Sequence, residues 1–116
     1  MTIEELQDIC RELPGVTEDI KWENDLCFCV ESKIFLVVGL NQSPATASFK
    51  ATPEEFAAMT ERSGFAPAPY LARHHWVLAK SIHHLTRQEW AQHARKAYEL
   101  VVAKLPKKVQ QALQQR

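Results

Sequence analysis

Between Pro67 and His84 the chain reads PAPYLARHHWVLAKSIHH, gathering Arg73, Lys80, Tyr70, Trp76 and four of the five histidines around two prolines. Three kinds of chemistry could use such side chains. The first is contact with phosphates and bases: Arg73 and Lys80, joined by Lys50 from an earlier segment, supply cations, His74 and His75 add donors, and Tyr70 or Trp76 could stack on bases. The second is metal binding, for which zinc needs three or four Cys, His or carboxylate groups converging tetrahedrally. Neither a CxxC nor an HExxH spacing occurs in this chain, so no metal and no other cofactor is expected. The third is nucleophilic catalysis by Cys27 or Cys29 with a histidine. No third orienting group and no oxyanion-hole loop can be assigned to such a pair, so the chain is not expected to be an enzyme.

How these side chains are aimed depends on the elements that carry them. Pro67 and Pro69 impose extended backbone on the residues before them, which predicts an exposed extended arm that enters a strand near Arg73–Lys80. Alternation along that strand separates His74, Trp76, Leu78 and Lys80 from Arg73, His75, Val77 and Ala79, so the adjacent histidines point to opposite faces. A Trp at a strand centre is more often core than a stacking surface, and that alternative applies to Trp76. His83 and His84 fall in the loop before Thr86.

The surrounding helices are written in one grammar. TIEE at Thr2, TPEE at Thr52 and TRQE at Thr86 each place a Thr cap three residues before a Glu that can reach back to the cap's own N–H. The first helix carries Ile3, Leu6, Ile9, Cys10 and Leu13 on one stripe and stops at Pro14-Gly15. The second starts with Pro53, buries Phe56 and Met59, and stops by Gly64. The third repeats Trp90, Ala94, Ala97, Tyr98, Val101 and Leu105 at helical spacing until Pro106, and Val109 and Leu113 add a last turn or two. Its cations Arg87, Arg95, Lys96 and Lys104 scatter over about 260° of the helix circumference, so it is a poor recognition helix. Contacts to DNA are therefore expected from strands and loops.

Between the first two helices the period changes to two. Leu26, Phe28 and Val30 alternate with Cys27, Cys29 and Glu31, and Ala47, Phe49 and Ala51 alternate with Thr46, Ser48 and Lys50, which predicts strands with one apolar face. IFLVVGL (34–40) lacks the alternation and reads as a central strand, followed by the turn NQSPA (41–45). A short earlier strand through Ile20 and Trp22 precedes them. The order predicts a single α+β domain over residues 1–116, a two-layer sandwich with an antiparallel sheet and helices on one face.

At 116 residues with 46% hydrophobic and 24% charged side chains, the composition is that of one globular domain with one core. The longest apolar run is far short of the ~20 residues that span a bilayer, and the N-terminus carries an acidic helix where a signal peptide would be basic and then apolar. A cytoplasmic location without membrane contact is expected. Three cysteines are an odd count, and Cys27 and Cys29 read as small buried apolar side chains with reduced thiols. The net charge is zero but divided: residues 1–31 hold nine acids against two bases, a balance of −7, and the remainder holds twelve bases against five acids, a balance of +7. A neutral chain so divided can present one basic face to an anion, unless the halves pair with each other across the fold.

LPGV after the first helix, the Trp22 segment, FCVESKIFLVVGL, SFKATPEEF, PAPYLARHHWV and AYELVVAKLPKK together resemble the MmcQ/YjbR family of small bacterial proteins, in matching order through nearly the whole chain. The resemblance implies a frataxin-like (CyaY-like), secretion-chaperone-like fold of order α-β(3)-α-β(2)-α. It also implies DNA binding through two β-hairpins acting as a double wing, with no catalytic residues to carry over. In such a wing Arg73 and His75 face phosphate, Lys80 flanks them, Lys50 contributes from the other hairpin, and Tyr70, His74 and Trp76 complete the surface. The expected function is a non-enzymatic DNA-binding protein whose affinity is weak and salt-dependent. The alternative is a protein-interaction module that uses an open sheet face bearing Cys29, Ser48 and His75.

Overall fold

The computed structural model describes residues 1–69 and 71–115. Three helices begin where the Thr-x-x-Glu motifs place them: α1 (Ile3–Arg11), α2 (Pro53–Thr60) and α3 (Arg87–Val102). At each start the Thr hydroxyl accepts from the Glu backbone N–H and the Glu carboxylate accepts from the Thr backbone N–H, so two otherwise unpaired donors are satisfied reciprocally. A fourth helix, α4 (Lys107–Gln114), supplies the expected last two turns in eight residues. Leu113 is buried in the core, and the Gln110 side-chain amide donates to the Leu105 carbonyl at 2.8 Å, which ties the added helix to the end of α3.

Six strands form one antiparallel sheet in the order β1-β2-β3-β4-β6-β5. They are β1 (Val16–Lys21), β2 (Asp25–Val30), β3 (Lys33–Gly39), β4 (Thr46–Lys50), β5 (Phe65–Pro67) and β6 (Trp76–Ala79). The early strand is real and carries Ile20, but it ends at Lys21 and leaves Trp22 in the following turn, and the first block holds four strands where the family formula has three. One sheet edge is β1, with six residues, and the other is β5, with three residues ending in Pro67.

The absence of alternation in IFLVVGL has a local cause. The register with β2 shifts between Phe28, opposite Leu36, and Cys29, opposite Ile34, so Phe35 is the extra residue of a bulge. Phe35 and Leu36 are both fully buried, and the Phe35 ring meets Tyr98 edge-on at 5.8 Å between centroids. The β2–β3 connection is a two-residue turn with Glu31 and Ser32 at φ of 49° and 64°, so Glu31 lies in a turn rather than in the strand.

The helices pack on one face of the sheet. Phe28, Val30, Val38, Phe49 and Val77 turn toward α1, α2 and α3 in a continuous core. At its centre is Trp90 of α3, fully buried, its indole N–H donating to the Ile82 carbonyl at 2.8 Å and its ring edge-on to Phe49 at 5.7 Å. The opposite face bears Cys27, Cys29, Ile34, Val37, Ser48 and Leu78, which neighbour one another across the strands. Both cysteines are nonetheless buried, so β2 excludes water on both sides where the alternation predicts one apolar face. Among the described residues no helix is long and apolar enough to cross a membrane.

Two expectations for residues 65–80 are corrected. Phe65–Pro67 is an edge strand, not a free arm, and pairs with Val77–Ala79. The strand after it begins at Trp76 rather than Arg73, because Ala72–His74 form a 3-10 turn and His75 takes a left-handed conformation at φ 64°. The two strands are antiparallel neighbours, so the chain must reverse between them, and that reversal consumes Arg73, His74 and His75. Gly64 precedes β5 at φ +90°, and a Cβ there would meet the His84 ring at 2.8 Å.

Replacing Trp90 by Ala removes the central core side chain and leaves the Ile82 carbonyl without its donor. Urea unfolding followed by circular dichroism is expected to show a loss of about 3–5 kcal/mol.

Candidate functional site

The sheet has two ends, and one of them collects cations. Lys33 begins β3, Lys50 ends β4, Arg73 and His74 lie in the turn that enters β6, and Lys104 follows the last turn of α3. These segments line a cleft of about 430 Å³ floored by Ile34, Trp76, Val101 and Leu105. An adjoining hollow of about 330 Å³ runs over Arg73, His75 and the start of α2. Lys50, His74 and Lys104 line both parts, which makes the two one continuous surface. No carboxylate lines either part among the described residues.

Like charges are thereby held together. Partial burial and the neighbouring Lys104 ammonium both push the pKa of Lys50 below the ordinary lysine value. The divided charge of the chain is little neutralised across the fold, since among the described residues only the Arg87–Glu5 ion pair joins the acidic first third to the rest. Arg11 pairs with Glu18 inside the first third, and Lys96 pairs with Glu55 inside the remainder.

The structure thus brings Lys50, Arg73, His74, His75 and Trp76 to one end of the sheet, although not in the arrangement a strand from Arg73 to Lys80 predicts. Arg73 and His74 are exposed in the turn, and His75 packs its ring edge-on to Phe56 at 5.6 Å, so it belongs to the helical side and not to the open sheet face. Trp76 is only 6% exposed, which makes its ring the floor of the cleft rather than a free platform for stacking. Lys80 follows the far end of β6, where its N–H donates to the Gly64 carbonyl, and lines neither part of the cleft. Tyr70 lies outside the described residues.

Two members of the cleft escape sequence reasoning. Lys104 belongs to the helix cations that scatter around α3, but its position beyond the helix end folds it over the sheet opposite Lys50. Lys33 stands beside Glu31 in what reads as an ordinary polar turn, and only the positive-φ turn at Glu31-Ser32 puts it at the strand start beside the cleft. Neither position is visible without the register.

The YjbR family model matches residues 11–100. This chain belongs to the YjbR family. The match spans β1 through most of α3, so every cleft residue except Val101, Lys104 and Leu105 lies within the YjbR segment. The fold of this YjbR protein is similar to the crystal structure of Deinococcus radiodurans protein DR2400, a DUF419 domain, with a TM-score of 0.86, 25% identity, and coverage of 97% of this chain and 87% of that one. A Pseudomonas syringae protein shares the fold with a TM-score of 0.70 at 17% identity, covering 86% of this chain and 98% of that one. No curated protein matches the chain.

The thiols are placed for packing. Burial pushes Cys10 up to about 12, with the Glu18 carboxylate adding to the effect. Burial likewise raises Cys27 to about 11, with Cys29 and Asp25 contributing, so neither thiol offers much thiolate near neutrality. A disulfide reagent at pH 8 is expected to label the folded protein slowly and all three cysteines promptly after addition of denaturant. Fast labelling of one folded-state thiol would overturn that placement.

The lysine pair gives a second expectation. Because the folded state holds the Lys50 proton less readily than the unfolded chain does, the charge costs stability at every pH below the folded pKa. That cost disappears as pH rises through the window ending at the ordinary value of 10.5. Lys50→Met should therefore raise the unfolding free energy at pH 7 and low salt by roughly 0.2–1 kcal/mol, the solvent-screened range of exposed charge pairs. The gain should shrink both toward pH 10.5 and in high salt.

Proposed function

We propose that this YjbR-family chain is a non-enzymatic, cytoplasmic protein that binds nucleic acid through the phosphate backbone, using the basic cleft at the Lys50 end of the sheet. The observation that carries the reading is the convergence of Lys33, Lys50, Arg73 and Lys104 from separate elements on one surface that, among the described residues, no carboxylate lines. A protein without an anionic ligand gains nothing from holding Lys50 against Lys104, whereas a phosphate between them turns the repulsion into two favourable contacts. Two adjoining hollows suit successive phosphates better than a single small anion.

This reading replaces the double wing with a cleft formed by the sheet end and the residues following α3. It also implies little base readout, because Trp76 is buried and phosphate contacts carry no sequence information. Affinity should be weak, salt-dependent and insensitive to sequence. A second reading, a protein partner laid on the uncovered sheet face, draws support from the half-buried Ile34, Val37 and Leu78 there.

Fluorescence anisotropy of labelled single-stranded and duplex DNA distinguishes the two. Micromolar binding is expected, with log Kd rising linearly with log salt, and Lys50→Ala or Lys104→Ala should weaken binding several-fold and reduce the slope by about one each. Lys80→Ala should do less than either. Absence of binding at low salt, or equal losses from Lys80→Ala and Lys104→Ala, would sink the cleft assignment.

A further inference from the structure

We propose that two copies of this chain pair through the free edges of β1, antiparallel, with Ile20 of each copy opposite Ile20 of the other. The surface is separate from the basic cleft, since Trp22 at the tip of the β1–β2 hairpin lies at the opposite end of the sheet from Lys33 and Lys50.

Sheet edges are ordinarily protected, and the two edges here differ. β5 offers three residues and ends in Pro67, which has no N–H to donate. β1 is six residues long, contains no proline and no bulge, and pairs on one side only. Which of its groups are free follows from the ladder. The Asn24 carbonyl accepts from the Leu40 N–H, so by alternation Asp25 and Cys27 direct their backbone groups toward Lys21 and Asp19 of β1. Ile20 and Glu18 consequently point their N–H and C=O groups outward.

The side chains at this edge are anomalous in the same place. Ile20 is 51% exposed although it sits on the core face of the sheet opposite Leu26, and Trp22 is 70% exposed. Trp22 and Glu23 hold φ of 50° and 71° in the hairpin turn, positions that Asn and Gly fill at much lower cost. An apolar side chain left half in water on an unprotected edge calls for a cover.

Charge selects the cover and its register. When two β1 strands meet antiparallel with their sheet faces aligned, opposed residues must have the same parity. Centring the pair on Glu18 or on Asp19 sets like charges face to face, and centring on Lys21 does the same with two ammonium groups. Centring on Ile20 sets Asp19 of each copy opposite Lys21 of the other, twice, and buries Ile20 against Ile20. The outward groups of Ile20 then supply a hydrogen-bonded pair across the junction. The contact is isologous and closes on a two-fold axis.

Sedimentation velocity across a concentration range, with the intrinsic fluorescence of Trp22 read in parallel, tests the pairing. Trp76 and Trp90 are buried, so a blue shift on association reports Trp22. The wild-type chain should form a dimer in the micromolar range with that blue shift. Asp19→Lys and Lys21→Asp should each be monomeric at concentrations at least tenfold higher, with unchanged circular dichroism. An equimolar mixture of the two variants should recover the dimer, because each then meets its opposite charge. A wild-type chain that stays monomeric at high concentration, or a dimer indifferent to both variants, overturns the proposal, as does failure of the mixture to associate.

Discussion

The packing of α3 across the sheet is the constraint on which the other features depend. Its Trp90 meets Phe49 of β4 and is bonded to the Ile82 carbonyl, while Tyr98, two turns on, donates to the Pro14 carbonyl at 2.6 Å and meets Phe35 of β3. One helix thereby fixes the middle of the sheet, the end of α1 and the turn after β6. Bulky aromatic side chains that also donate a hydrogen bond have few ways to be satisfied at once, which sets the angle and the depth of the helix together. Once Trp90 and Tyr98 are seated, the end of α3 must emerge over the ends of β3 and β4, and Lys104 is carried to Lys50 without any attraction of its own.

That order of causes explains how a like-charge cluster survives in a small domain. Core burial is worth far more than the solvent-screened repulsion of two lysines, so the fold can hold both ammonium groups where one anion would meet them. The same is true of the thiols. Cys27 and Cys29 are hidden by their neighbours on an uncovered sheet face, which makes them apolar filling rather than a reactive pair.

Much of this was legible in the sequence. The three Thr-x-x-Glu motifs mark their helices because a cap is a local interaction, complete within four residues. The strand periods locate β2 and β4 for the same reason. What could not be read depends on register: the bulge at Phe35, the reversal that turns Arg73 to His75 from strand into turn, and the meeting of Lys33 with Lys104. Arg73, His74 and Lys50 were recognisable as candidate ligands by type. Lys80 joins them only if the strand is continuous, and the tight turn before Trp76 separates it by the length of β6.

The unequal edges of the sheet have a bearing on growth. A strand partner, whatever its origin, can add at β1, whereas the opposite edge offers three residues and a proline, a template too short to propagate. Addition at one side leaves no equivalent side for the next molecule. The fold therefore withholds the second surface that an indefinite fibre requires, and it does so with a short strand ending in an imino acid in place of a row of charges.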